Sequence, residues 1–282
     1  MVVDRTARIL THAQPVVRGY FDWQTAGQAL PAQLIQFEGL HSVSPNNQEL
    51  TLSLVKAYML YALGWVVDEV DVARQAGDHD LVEHHRLRAY HLYSRARDLA
   101  LRLVVQRDPA VRAHLTAESS TFAAYLERHC DDDDLPSLYW LMTSWAFAIS
   151  HSPNVDELAD MSGLRVIANW IIKHNPSYEG AGALVFLGTF ESKLPKAYGG
   201  DPESSRAYFE RALLLTNRTN HIVQLNYALT YAPVVQNRAL YVALLREIVE
   251  APDQGQAHRL TNKIARRQAI RALARVDELF FD

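Results

Sequence analysis

The chain has 282 residues, 49% of them apolar, and a formal net charge of −4. That length allows one large domain or two and a core that needs no staples. The near-balanced charge gives no electrostatic case for nucleic acid or an anionic membrane. The single cysteine, Cys130, excludes an internal disulfide framework and any paired-cysteine metal site.

Apolar residues recur at spacings of three and four, and strand-like alternation is almost absent, so the predicted elements are helices. Asp22 or Thr25 is a cap for a short first helix, and Pro31 suits the start of a second that reaches about His41. Ser44-Pro45-Asn46-Asn47 is strong turn chemistry. A long helix follows from about Gln48 to Gln75, with Leu54, Tyr58, Tyr61 and Trp65 on its apolar side. Gly77 and Asp78 break it, and its partner runs from about Leu81 to Arg107 before Pro109. A helix over Ala117 to His129 precedes the acidic run Asp131 to Asp134. Pro136 opens the next helix, and its partner covers about Val155 to Lys173 before Asn175-Pro176.

From Gly180 to Gly188 small residues share one helix with Leu184, Phe186, Leu187 and Phe190, which lets two helix backbones approach closely. The following helix carries Ser205, Phe209 and Ala212 in the small-large-small order of a tetratricopeptide second helix. Helices over His221 to Val235, Arg238 to Glu250 and Ala257 to Phe280 complete the chain. A regular tetratricopeptide array repeats every ~34 residues, and the helix-closing residues here are unevenly spaced. The expected architecture is therefore all-α, with degenerate tetratricopeptide-like hairpins stacked in one domain over 23–282 behind an N-terminal extension, 1–22. No segment reads as a membrane span of ~20 apolar residues, and the N-terminus lacks the order of a secretory signal.

Nothing argues for catalysis. His79, His84, His85 and His91 cluster, but without the i, i+4 pair flanking a glutamate that zinc proteases use, so no metal is expected. The aspartate run lacks the alternating ligands of a calcium loop, and Asp134 reads as a helix N-cap. No nucleophile elbow and no phosphate-cradling glycine pattern occurs, so no cofactor is expected. The candidate contact residues are aromatic: Tyr58, Tyr61, Trp65, Trp140, Trp145, Tyr227 and Tyr231, whose polar tips seek a partner when buried. Ordinary core packing accounts for most of them, and a cleft for an apolar or amphipathic ligand, or for a partner's anchor, is the alternative. Lys193 and Tyr198, in the long loop before Asp201-Pro202, form a second candidate contact.

These residues resemble the T-component of tripartite ATP-independent periplasmic (TRAP) transporters. The resemblance rests on Asn175-Pro176 before the Gly/Ala-rich helix, on Leu194-Pro195 leading into Gly199-Gly200-Asp201-Pro202, and on Arg206 with Phe209 to Ala212. Tyr227-Ala228, Tyr231-Ala232, Leu260-Thr261-Asn262 and Asp277 to Phe280 extend it, and Leu30-Pro31 and Tyr93 to Asp98 look similar. It implies an all-helical, non-enzymatic protein, usually a periplasmic lipoprotein, that works with the transporter's periplasmic solute-binding protein. The system it implies moves small, often carboxylate-bearing solutes. Lipid anchoring of a precursor and a homo-oligomer stay open. A cytoplasmic helical-repeat adaptor for a peptide or protein partner is the alternative function.

Overall fold

The computed structural model describes residues 5–6, 8–9, 12–194, 200–253 and 257–280. Among these residues every regular element is helical. Their order is α1 (Gln14–Arg18), α2 (Trp23–Val43), α3 (Gln48–Gln75), α4 (His79–Arg107), α5 (Val111–His114), α6 (Ser119–His129) and α7 (Leu135–His151). A 3-10 segment (Val155–Asp160) leads into α8 (Met161–His174), then α9 (Tyr178–Lys193), α10 (Pro202–Leu215), α11 (His221–Asn226), α12 (Ala232–Val234), α13 (Arg238–Glu250) and α14 (Arg259–Ala274). Internal contacts gather into two compact units. The first holds 24–170 with residues up to 14, and the second holds 15–23 with 171 onward.

In the first unit α4 packs along both α3 and α7. Small residues explain the approach: Ala89, Ala96 and Ala100 of α4 are fully buried beside Tyr93 and Leu99. Side-chain oxygens fix both helix starts. Asn47 Oδ1 accepts the Leu50 N–H at 3.0 Å and Asp78 Oδ1 accepts that of Leu81 at 3.0 Å. Each such cap contributes about 1 kcal/mol.

The helix expected from about Val155 begins as a 3-10 segment and is α-helical only from Met161, and two residues play other parts than expected. Pro31 does not start a helix; it stands inside α2. An interior proline costs roughly 3 kcal/mol, but Ala26, Leu30, Leu34, Phe37 and His41 are all buried along α2. Each fully buried Leu or Phe contributes about 1.5–3 kcal/mol, so burial outweighs the break. Asp134 does occupy the cap position of α7, yet its carboxylate caps nothing in that helix. It accepts the Asp131 N–H at 2.9 Å and pairs with Arg107 at 2.5 Å, tying the acidic loop to the end of α4.

The second unit is built on the α9–α10 hairpin and on α13 against α14. The expected close approach is present. A Cβ placed on Gly188 would lie 2.8 Å from the Phe209 ring. Ser205 Oγ donates to the Gly188 carbonyl at 2.7 Å and lies 2.6 Å from Ser192 Oγ. Asp201 caps α10 through the Glu203 N–H, with Pro202 at the first helical position as expected. The final helix is shorter than expected, ending at Ala274 before a 3-10 turn over Val276–Glu278.

Candidate functional site

The expected contact residues divide between the two units. In the first, Tyr61 ends the α-helical first part of α3, and Trp65 lies in a π-helical turn, Ala62–Val66, closed by the Val67 N–H on the Ala62 carbonyl. A π turn adds a residue to one turn and re-aims the side chains beyond it. Here it sets the buried Trp65 indole over Gly27 of α2, where an added Cβ would stand 2.0 Å from Nε1. Tyr61 stacks beside Trp65 with ring centroids 6.3 Å apart. Arg88 of α4 donates to the Tyr61 hydroxyl and to Glu69, each at 2.6 Å.

About one turn earlier on α3, the Tyr58 hydroxyl donates to Glu38 at 2.8 Å, and Arg95 grips the same carboxylate at 2.8 and 2.7 Å. The Arg95 hydrogen bond holds the Glu38 carboxyl below its usual range. Burial, joined by the Glu38 hydrogen bond, pushes the Tyr58 hydroxyl up to about 12. On α7, Lys56 Nζ lies 5.7 Å from the centre of the Trp140 ring, and the Arg97 guanidinium lies 5.9 Å from that of Trp145. Four of these five aromatic side chains therefore meet a cation or an Arg–Glu pair. Such a stack contributes about 0.5–1 kcal/mol at an exposed site. The indole N–H groups of Trp140 and Trp145, and the Thr143 hydroxyl on the same helix, are buried without a hydrogen-bond partner among the described residues.

In the second unit Tyr227 and Tyr231 bound another π turn, closed by the Ala232 N–H on the Tyr227 carbonyl. Pro233 follows directly; it lacks an N–H and crowds the carbonyl four residues back, which favours the widened turn. Tyr227 stacks on Phe209 at 4.9 Å and meets Tyr231 at 5.2 Å. Burial pushes the Tyr227 hydroxyl up to about 12, helped by the charge of Glu210 and by Tyr231, while a hydrogen bond from Arg206 opposes the rise. Arg206 pairs with Glu210 at 2.7 Å. Lys193 is exposed at the last turn of α9, and Tyr198 lies outside the described residues.

A five-residue pattern recurs at the two π turns, starting one residue before the first and on the first residue of the second. Tyr61-Ala62-Leu63-Gly64-Trp65 matches Tyr227-Ala228-Leu229-Thr230-Tyr231, and each tyrosine faces an Arg–Glu pair. Sequence reasoning named the aromatic residues, and Arg206 as a motif residue, but missed this pattern and the arginine that meets each tyrosine. The repeated Tyr-Ala-Leu was legible; the pairing with arginines 27 residues beyond Tyr61 and 21 before Tyr227 was not.

The remaining candidates hold no assembled chemistry. His79, His84 and His91 are exposed, and His85 sits 3.2 Å from Glu69. No group of three or more metal-ligating residues occurs among the described residues. Cys130 lines a cavity of about 280 Å³ with Arg107, Asp108, Tyr125, His129 and Asp134. Burial, with the carboxylates of Asp134 and Asp108, pushes its thiol up to about 12, so it is no nucleophile. The cavity's polar groups are bound to one another: Tyr125 donates to Asp108 at 2.5 Å, and Arg107 holds Asp134.

The family model for the TRAP transporter T-component matches residues 21–280, nearly the whole chain. The chain belongs to that family. An uncharacterised protein of Treponema pallidum (strain Nichols) is 24% identical over 269 residues, covering 93% of this chain and 81% of its own. Membership gives an accessory role in TRAP transport and association with that transport system, and the all-helical architecture fits the resemblance. Among the described residues one helix, Gln48–Gln75, is long and apolar enough to cross a membrane, against the sequence reading of none. In its most apolar stretch 67% of the residues are buried within the protein, as in a core helix.

Proposed function

We propose that this T-component is a non-catalytic scaffold that docks the periplasmic solute-binding protein of its TRAP system and shelters a small apolar or carboxylate-bearing ligand. Family membership over 21–280 carries this reading and supports a location in the periplasm or at its membrane. The aromatic helices support it. Tyrosines with polar tips on Arg–Glu pairs form rigid, amphipathic walls of the kind that interfaces use.

The accessory role is tested by solute uptake in cells lacking this chain. Uptake of the TRAP solute falls and returns when the chain is resupplied, with no chemical change to the solute. Undiminished uptake, or release of a modified solute by the purified chain, overturns the proposal.

A further inference from the structure

The strongest backbone outlier lies at the start of α9. Glu179, Gly180 and Ala181 have φ of 46°, 68° and 63°, three left-handed residues in succession. In that conformation an L side chain presses its Cβ on the following carbonyl, so Glu179 and Ala181 keep it only where their surroundings impose it. Those surroundings are specific. Ala181 is fully buried, and the Gly180 carbonyl accepts from Asn220 Nδ2 at 2.9 Å. A Cβ on Gly180 would stand 2.4 Å from the same nitrogen. The Glu179 carboxylate meets Arg18 of α1 at 2.8 Å.

Arg18 belongs to the segment 15–23, which packs in the same unit as α9. Two more contacts hold that segment: a long one of 3.4 Å from Arg259 Nη1 to the Gly19 carbonyl, and the Arg267 guanidinium 3.7 Å from the centre of the Trp23 ring. Apolar burial holds it only in part: Val17, Tyr20 and Trp23 are half-buried. No residue of α1 is buried, and Val16 and Phe21 are 68% and 63% exposed. Three arginines thus help to fasten the segment, at a place where the backbone beneath is strained.

We propose that residues 15–23 form a detachable strap and that the left-handed turn 179–181 is the two-state element it sets. With Arg18 seated on Glu179 the turn stays left-handed. With Arg18 withdrawn it relaxes to the right-handed form and adds to the start of α9. The inference is independent of the transport role.

The test is amide hydrogen exchange, read peptide by peptide on the full chain. Glu179→Gln and Arg18→Ala raise exchange at 15–23 and at 178–181 together, by about tenfold or more, while 221–250 keeps its wild-type rates. Gly180→Ala acts from the other side. It crowds the turn against Asn220 and speeds exchange at 15–23 without touching Arg18. Strap peptides that exchange at free-chain rates in the wild type overturn the proposal. A response at 15–23 with none at 178–181, or wild-type protection of 15–23 in Gly180→Ala, also overturns it.

Discussion

One pentapeptide pattern recurs at the two π turns, a residue out of register, in two different seats. Trp65 of the first packs on a backbone, with Gly27 beneath it, and Tyr61 takes its partner from α4. Tyr227 of the second packs on a side chain, the Phe209 ring, which itself needs Gly188 behind it. The same local sequence therefore depends on a missing Cβ in one unit and on a large buried ring in the other. What the pattern specifies is the widened turn and the tyrosine's polar edge. What receives the aromatic faces is decided by distant parts of the chain.

The largest expected effect breaks the second seat. Phe209→Ala removes a fully buried ring and leaves Tyr227 facing a void. Denaturant unfolding should show a loss of about 3–5 kcal/mol. The first seat is probed by filling it. Gly27→Ala forces the Trp65 indole to move, an overpacking change of about 1–3 kcal/mol. The double variant Gly27→Ala with Trp65→Leu should lose less than the sum of the two single changes, and the shortfall measures the seat itself. Strict additivity would mean that Gly27 does not work through Trp65.

The smallest effect compares the units by pH. His41 in the first and His221 in the second are both buried, and burial holds each imidazole below its ordinary value of 6.5. Arg102 and Arg95 add to this at His41 while Glu38 opposes it. At His221, His258 and Arg266 add to it while Glu247 opposes it. The unfolded chain thus takes up protons that the folded chain refuses. This part of the stability is complete above 6.5 and is lost as the pH falls from there toward the lowered folded values. Thermal melts from neutral to mildly acidic pH should show a falling Tm, and His41→Gln or His221→Gln should each flatten the fall. An unchanged slope in both variants would assign the acid sensitivity elsewhere.

Much of this fold was legible because punctuation and periodicity agreed. Asn47, Gly77 and Asp78 bracket the long α3, and Asp201-Pro202 announces α10. Pro31 misled because the same residue that favours a helix start is tolerated in an interior once Leu30, Leu34 and Phe37 are buried around it. The left-handed turn at 179–181 left no trace because Tyr-Glu-Gly-Ala reads as helix, and Arg18 and Asn220, both far away in sequence, help to hold it otherwise. Both π turns were hidden for a related reason: one extra residue per turn is invisible where aromatic and small residues line every face. At the candidate site the rings could be named from the sequence, whereas the arginines and carboxylates that fix their polar tips could not.

The docking role is tested most directly by titrating the cognate solute-binding protein, with and without its solute, into the full chain in a calorimeter. The account expects a saturable complex of micromolar affinity or tighter in at least one of the two states. No heat and no complex in either state, with both proteins folded, would contradict it.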